Sequence, residues 1–150
     1  MNVSTKSEYG LRALIYLATH ETRGAIPARE IAVEWNVPVK YLEQILKALK
    51  GAGLVESQVG VGGGYRLTRP ASLIFAGEVI RVLDGRIAPM GCVSEIDYEP
   101  CEFEPACGLR DLWARTRAAM LGVLDTTTIA DLSHPPSRGA VVPITTASKR

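Results

Sequence analysis

The sequence predicts a mostly helical fold with one small β-hairpin and a long C-terminal helix. Apolar residues recur every three to four positions over most of the chain, whereas alternation with a period of two occurs only on either side of the glycine-rich segment 60–64. The chain has 150 residues, about the length of one domain, and 47% of them are apolar, which suffices for one core. No apolar run of about 18 residues and no basic-then-apolar leader occur, and the three cysteines are too few for a disulfide scaffold. We therefore expect a cytoplasmic protein without a membrane segment.

Capping and helix-breaking residues predict the first two helices. The segment 5–8 has the S/T-x-x-E form of a capping box, so a helix is expected to begin with Thr5 as its cap and Glu8 as the reciprocal partner. Its buried face is expected to comprise Leu11, Leu14, Ile15 and Ala18. Gly24 and Pro27 end this pattern. A short second helix is predicted over 28–35, with Ile31, Ala32 and Trp35 facing inward.

A third helix is predicted directly after the tight turn 36–38. Pro38 is compatible with this position because the first turn of a helix needs no amide donor. The apolar stripe consists of Leu42, Ile45, Leu46 and Leu49. The opposite face carries Lys40, Glu43, Gln44, Lys47 and Lys50, and Gly51 and Gly53 end the helix. The sequence therefore predicts an amphipathic helix that buries one side and offers the other.

A hairpin, a helix and a loop follow. Residues 55–59 and 65–68 alternate around the segment 60–64, as the two strands of a β-hairpin do. Ser72 is predicted to cap a helix that ends at Gly85 and holds Phe75, Val79, Val82 and Leu83 inside. Residues 86–107 show no period and contain all three cysteines.

The C-terminal part is predicted to hold the long helix. This helix is expected over 108–124, with Leu109, Leu112, Trp113, Thr116, Met120 and Val123 on one side. A short helical turn within 126–132 follows, and these elements with the loop 86–107 make up a second region, 71–132. The tail 133–150 has Pro135, Pro136, Pro143 and no apolar stripe, so it is predicted to be disordered.

The order of helix, tight turn, amphipathic helix and glycine hairpin is that of a winged helix-turn-helix domain, which we assign to residues 1–70. Such a domain places its second helix in the major groove of DNA, where lysines meet phosphates, glutamine can read adenine and glutamate can accept from cytosine N4. The residues expected to contact double-stranded DNA are Lys40, Tyr41, Glu43, Gln44 and Lys47 in the helix and Gly62, Gly63 and Tyr65 in the wing. Glycines at the wing tip let backbone amides approach phosphates closely. A purely packing role is the alternative for Tyr41.

The charge distribution and the glycine run bear on whether the chain binds DNA or a dinucleotide. Residues 1–70 carry nine Lys or Arg and six Asp or Glu, whereas residues 71–132 carry five and ten, so a basic front precedes an acidic middle. Ordinary surface variation also explains such a split. The glycine run does not fit a dinucleotide-binding loop, because Tyr65 stands at the third glycine position and a strand follows. No Ser/His/Asp or Cys/His set is visible, so an enzyme is not expected.

The three cysteines predict an inorganic site. Cys92, Cys101 and Cys107 have the spacing C-x8-C-x5-C in a stretch without Lys or Arg, whose acids are Glu95, Asp97, Glu99, Glu102 and Glu104. Thiolates are soft ligands for iron–sulfur clusters or zinc, and an acidic loop favours a bound cation over free thiolates. Three free thiols, or one disulfide and a spare thiol, are the alternatives. His20 and His134 lie far away in sequence, so a fourth ligand has to come from elsewhere.

Four segments together resemble the IscR/NsrR family of bacterial winged-helix regulators: residues 6–11, 41–45 and 60–65, and the cysteine triplet. The resemblance extends from Met1 to about Leu132. It implies a homodimer joined through the helix 108–124, and a [2Fe-2S] or [4Fe-4S] cluster held by Cys92, Cys101 and Cys107. It also implies that the cluster controls operator affinity, which would make the chain a regulator, most simply a repressor, sensing iron, nitric oxide or redox state.

The sequence departs from this family at three positions. The gap between the first two cysteines is longer than in the best-known members, Arg110 stands where one member has a histidine, and Val59 stands where the wing usually begins with arginine. The resemblance also makes Glu8 a candidate fourth ligand from the partner subunit, in competition with its predicted capping role. Alternatives within the same fold use zinc or thiols alone, or a partner enzyme, in place of a cluster.

Overall fold

The computed structural model of the chain describes residues 3–134, which form six α-helices and one hairpin. In chain order the elements are α1 (Thr5–Thr19), α2 (Ala28–Glu34), α3 (Val39–Gly51), β1 (Val55–Gln58), β2 (Gly64–Leu67), α4 (Ala76–Asp84), α5 (Leu109–Leu124) and α6 (Ile129–Ser133). Short 3₁₀ turns lie at Glu21–Arg23, Ala71–Leu73, Gly91–Val93 and Glu104–Ala106. The mostly helical class predicted from the sequence is confirmed. Of the predicted tail 133–150, Ser133 ends α6, and residues 135–150 lie outside the described residues.

The helix α1 begins at Thr5, so its N-cap lies one residue before the predicted cap. Ser4, not Thr5, is the N-cap, and its Oγ accepts a hydrogen bond from the Ser7 amide at 3.2 Å. The Ser4 amide in turn donates to the Asp84 carboxylate at 3.0 Å, which fixes Ser4 in the extended conformation that a cap needs. The predicted capping box is therefore wrong. The Glu8 carboxylate instead accepts from Arg12, one helical turn further on, at 2.5 Å.

The hydrophobic core lies between α1, α2, α3, α4 and α6. Its largest fully buried side chains are Leu14, Ile26, Ile31, Leu42, Ile45, Leu46, Leu49, Leu54, Ile74 and Ile129. The stripe predicted for α3 is confirmed in full, since each of its four residues is at most 1% exposed. On α1 only Leu14 of the predicted face is fully buried, while Leu11, Ile15 and Ala18 pack at the edge of the core. The core is thus complete without α5.

The strands β1 and β2 form the predicted hairpin. They pair antiparallel, from Val55 opposite Leu67 to Gln58 opposite Gly64. The hairpin is also fixed to the segment before α2, because Ile26 and Tyr65 exchange two backbone hydrogen bonds of 2.9 and 2.8 Å. This contact requires glycine at position 64, where a Cβ atom would overlap the backbone of Ile26. The base of the wing is therefore held from two sides.

The helix α4 starts later than predicted. Ser72 lies in a 3₁₀ turn and caps nothing; α4 begins at Ala76 with Phe75 as its N-cap. Backbone hydrogen bonds from Ala76 to the Thr127 carbonyl and from Ile129 to the Ile74 carbonyl hold the intervening chain extended. Phe75 is consequently 36% exposed and not inside the helix packing as predicted. The predicted end at Gly85 is confirmed, with a φ of 84°.

The long helix α5 packs little against its own chain. None of its 16 residues is buried. Leu109, Leu112 and Val123 are 56%, 49% and 62% exposed, although they lie on the predicted apolar side. Its C-terminal end is attached to α4 by Arg81, whose two terminal nitrogens donate to the two Asp125 carboxylate oxygens at 2.7 Å. The apolar side of α5 is therefore left uncovered by residues 3–134.

Candidate nucleic-acid interface and cysteine loop

The helix α3 presents most of the predicted DNA contacts to solvent. Burial of its apolar stripe fixes the rotation of the helix, and residues three and four apart on the other side then share one face. The exposed side chains on that face are Lys40, Glu43, Gln44 and Lys47. Within residues 3–134 none of them forms an ion pair or a side-chain hydrogen bond. This face has both signs of charge and an amide, all available to a partner.

Tyr41 differs from its neighbours on α3. Its ring packs edge-on against Tyr9, with the centroids 6.1 Å apart and the planes at 81°. It is partly buried and lies against the core. The guanidinium of Arg12 covers the same region, 5.3 Å from the ring of Trp35 and 6.0 Å from that of Tyr9. The packing alternative for Tyr41 thus has a geometric basis.

The wing places its predicted residues differently. Gly62 is exposed at the tip, whereas Gly63 and Tyr65 are partly buried. A Cβ atom on Gly63 would lie 2.5 Å from the Gln58 carbonyl oxygen, so the turn requires glycine there for space. Tyr65 uses its backbone to hold the wing to Ile26. The predicted close approach to phosphate is therefore open to Gly62 in particular.

One cation near α3 was not singled out from the sequence. Arg29, the second residue of α2, is exposed and forms no ion pair among residues 3–134. The other arginines of the first 70 residues are engaged: Arg12 with Glu8, Arg23 with Glu30, Arg66 with Glu56 and Arg69 with Glu78. The sequence feature that could have identified Arg29 is its place on the polar face of the short helix α2.

The cysteine loop does not gather its three thiols into one metal-sized group in the described part of the chain. Cys92 lies in the 3₁₀ turn Gly91–Val93 and is partly buried, Cys101 is exposed, and Cys107 is partly buried just before α5. The donor set suits an iron–sulfur cluster chemically, since such clusters take thiolate ligands. The arrangement of these thiols in one chain does not suit a cluster, because among residues 3–134 no three His, Cys, Asp or Glu side chains lie close enough to share a metal ion. Glu8 is part of no such group either.

Arginines from outside the stretch 92–107 neutralise much of its acidity. Arg86 pairs with Glu99 at 2.7 Å, Arg110 with Glu104 at 2.7 Å and Arg117 with Glu95 at 2.6 Å. The hydrogen bond from Arg86 holds the pKa of the Glu99 carboxyl below its usual value. Hydrogen bonds from the Tyr98 hydroxyl and from Arg110 lower the pKa of Glu104 in the same way. Arg86 also lies 3.6 Å from the Asp97 carboxylate. The expectation that this acidity requires a bound cation is therefore weakened, since protein cations already meet four of the five acids.

Cys92 opens onto a cavity of about 310 Å³ between the loop and α5, with Tyr98, Arg110 and Arg117 among its lining residues. Arg117 donates to the Val93 carbonyl at 2.7 Å, while its Nε is buried without a partner in the described part of the chain. The turn that holds Cys92 is therefore fastened to α5 by one arginine.

Among residues 3–134, no helix combines the length and the hydropathy that a membrane span needs.

Comparison with known proteins identifies the architecture. A family model described as Rrf2, an iron-dependent transcriptional regulator, matches residues 3–135. The HTH-type transcriptional regulator CymR of Bacillus subtilis is 41% identical over 133 residues, covering 89% of this chain and 90% of that protein. The regulator IscR of Photobacterium profundum is 32% identical over 132 residues, covering 88% of this chain and 75% of that protein.

A solved structure supports the same assignment. CymR, described as the global cysteine regulator of B. subtilis, superposes with a TM-score of 0.76 at 39% identity, over 89% of this chain and 96% of that one. The predicted winged-helix fold and the resemblance to IscR-type regulators are thereby confirmed, as is the expectation of a regulator in place of an enzyme. The chain belongs to the Rrf2 family and is a DNA-binding transcriptional regulator.

Proposed function

We propose that the chain acts in the cytoplasm as a homodimeric repressor whose operator affinity is set by an iron–sulfur cluster on the loop 86–107. The observation that carries the DNA part is the exposed polar face of α3, which has no partner within residues 3–134. Lys40 and Lys47 would contact phosphates, Gln44 an adenine and Glu43 a cytosine amino group. Gly62, with Gly63 and Tyr65 behind it, would bring the wing to the sugar–phosphate backbone.

The DNA interface is tested by the salt dependence of binding. Each phosphate contact releases counterions, so the logarithm of affinity falls linearly with the logarithm of salt concentration, by about 0.9 per contact. We expect Gln44→Ala to relax sequence preference with little change in this slope. Lys40→Gln should lower the slope by about 1, because it removes one lysine from the phosphates. An affinity that does not depend on salt would refute the proposed interface.

The homodimer is supported by the uncovered side of α5. Val3, Thr116, Ala119, Met120, Val123 and Leu124 line an almost entirely apolar surface along this helix. A second copy of the same helix would bury it, because twofold interfaces are formed by the same patch on both subunits. We expect Val123→Glu to give monomers in analytical ultracentrifugation. The matched control is Arg115→Glu on the same helix, which should stay dimeric. Arg115 is exposed, and its one ion pair among the described residues is the long 3.8 Å contact to Asp111.

The cluster is supported by the three thiols and by the IscR relative. Cys92, Cys101 and Cys107 would be its ligands, and Glu8 of a second subunit would be the fourth; the exposed Glu8 carboxylate is not used as a cap. When bound, a cluster supplies a centre that reacts with oxidants and nitric oxide. Because the three thiols do not form one metal-sized group among the described residues, loading requires the loop to bring them together, and the arginines that hold its acids would then shift.

Iron and acid-labile sulfide analysis of anaerobically purified protein tests the cluster. We expect a brown protein that contains iron and sulfide. Both should be absent from each of the variants Cys92→Ser, Cys101→Ser and Cys107→Ser. Glu8→Ala should lower cluster content and change operator affinity; if neither changes, Glu8 is not a ligand. A colourless protein without iron refutes cluster control.

A second candidate function is favoured by the placement of the thiols. The exposed Cys101 and the absence of a grouped ligand set among residues 3–134 fit a regulator of the same fold that uses free thiols. Zinc in place of a cluster is the other form of this alternative, and like a cluster it would need the loop to rearrange. A colourless zinc protein, or reversible oxidation that alters operator affinity without iron, would support it. A partner enzyme is the remaining alternative, and unaltered regulation in Cys101→Ser would favour it.

A further inference from the structure

The cavity beside Cys92 is bounded by α5 on one side and by the cysteine loop on the other. Arg110, Ala114 and Arg117 lie on one face of α5, because residues three and four positions apart are neighbours on a helix. The small side chain of Ala114 leaves space between the two arginines. The volume of about 310 Å³ far exceeds the roughly 10–15 Å³ that one water molecule needs, so the cavity has room for a small organic molecule.

The hydrogen-bonding groups that the two arginines leave unused are donors. Arg110 donates only through Nε, to Glu104 at 2.7 Å, and its terminal nitrogens have no partner among residues 3–134. Arg117 uses both terminal nitrogens for groups of the loop, while its Nε is buried and meets no acceptor in the same part of the chain. A guanidinium group with unmet donors is stabilised by an oxyanion, which accepts charge-assisted hydrogen bonds.

The carboxylates near these arginines are already engaged. Glu95, the one acid among the described residues of the cavity wall, accepts from Arg117 at 2.6 Å. Glu104 accepts from both the Tyr98 hydroxyl and Arg110. In the described part of the chain the cavity therefore offers unmet donors and no unmet carboxylate, which favours an anionic ligand over a cationic one.

The rest of the wall includes apolar side chains and a thiol. Val93 and Ala114 contribute hydrocarbon surface, and Cys92 contributes a free, partly buried thiol. An inorganic oxyanion would leave the hydrocarbon surface uncovered, whereas a short carbon chain would cover it, as the apolar walls of ligand sites generally require. The wall thus suits a carboxylate that carries a short carbon chain.

We propose that this cavity binds a small organic carboxylate, held by Arg110 and Arg117, with its carbon chain beside the Cys92 thiol. Arg117 also joins the turn of Cys92 to α5 through the Val93 carbonyl at 2.7 Å, so a ligand on this arginine stabilises the loop in its present arrangement. In that arrangement the three thiols do not form one metal-sized group among the described residues. The bound carboxylate therefore favours the cluster-free chain. Binding itself depends neither on the proposed cluster nor on the proposed DNA interface.

Alkylation of the full-length chain, freed of iron by a chelator, tests the site with two reagents of nearly equal size. Iodoacetate carries a carboxylate and iodoacetamide is neutral, so the ratio of their rates at one cysteine reports anion binding independently of that thiol's own reactivity. By peptide mass spectrometry we expect this ratio to be about fivefold higher at Cys92 than at Cys101, which is exposed and does not line the cavity. Propionate should protect Cys92 with saturation, whereas sodium chloride at equal ionic strength should not.

Arg110→Gln should lower the ratio at Cys92 to that at Cys101. The matched control is Arg115→Gln, which removes the same charge from the same helix outside the cavity wall and should leave the ratio unchanged. Arg117→Gln should also lower the ratio, but Arg110→Gln is decisive because Arg117 holds the turn of Cys92 as well.

Three results would overturn the proposal. Equal ratios at Cys92 and Cys101 would show that the cavity binds no anion. Equal losses in Arg110→Gln and Arg115→Gln would show only the general field of the helix, and equal protection by inorganic phosphate and propionate would show an unselective oxyanion site. Failure of the proposed cluster or DNA interface is seen separately, in iron content and operator binding, which do not enter these rates.

Discussion

Gly64 offers a direct test of how the wing is fixed, because a single methyl group there meets backbone. A Cβ atom at this position would overlap the carbonyl of Ile26. Backbone cannot move aside as a side chain can, so Gly64→Ala should separate β2 from the segment before α2. The two hydrogen bonds between Ile26 and Tyr65 would then break, which costs about 1–3 kcal/mol at a net 0.5–1.5 kcal/mol each.

Gly51→Ala supplies the matched control for the same chemical change. Gly51 is the last residue of α3, and a Cβ atom there meets nothing within 4 Å. Alanine is the better helix former, so this variant should be neutral or more stable by up to about 1 kcal/mol. The difference between the two variants is thus expected to be about 1–4 kcal/mol, a large share of a total stability of about 5–15 kcal/mol.

Urea unfolding at one fixed protein concentration measures this difference, and operator binding measures its functional consequence. Gly64→Ala should lower the midpoint without changing the slope with urea, since the amount of buried surface stays nearly the same. Operator affinity should fall together with stability, because the wing loses its fixed position beside α3. Equal midpoints for the two variants would show that the contact between the wing and Ile26 is not structural.

Single contacts elsewhere in the chain lead to three further predictions. Asp125→Asn should lower the melting temperature at pH 7. Since the hydrogen bonds from Arg81 depress the pKa of Asp125, the wild-type advantage should be complete above about pH 4 and should be lost as the pH falls through this lowered pKa. Ser4→Ala should cost about 1 kcal/mol of unfolding free energy by urea titration, whereas Glu8→Gln should cost much less, because Ser4 is the cap. Lys47→Gln should lower the salt slope of operator binding by about 1, while Lys50→Gln, whose lysine is bound to Ser57, should lower it less.

The elements that sequence predicted well are those decided by local pattern. The stripe of α3 is fully buried because its period leaves one orientation that hides all four apolar residues, and the same orientation exposes Lys40, Glu43, Gln44 and Lys47. Gly85 ends α4 because its φ of 84° is available to glycine at little cost. The exposed polar face of α3 was therefore predictable from the sequence.

The predictions that failed depend on partners far away in the chain. Ser4 and Thr5 are both plausible caps, and the choice is made by Asp84, 80 residues later. Ser72 loses its predicted role because the chain near Ile74 pairs with residues 127–129. The loop 86–107 is acidic in sequence, yet Arg86 and two arginines of α5 close around its acids. None of these contacts leaves a periodic signal, and for that reason local sequence patterns do not predict them.

The uncovered helix α5 connects folding to assembly. An isolated helix of its 16 residues is marginal in water, and the described chain buries none of its side chains. The core formed by α1 to α4 and α6 is complete without it, so α5 contributes little to the stability of one chain. On the proposed dimer, the stability of α5 and of the adjoining cysteine loop comes from the second subunit. Their unfolding should therefore depend on protein concentration, while unfolding of the DNA-binding core should depend on it much less.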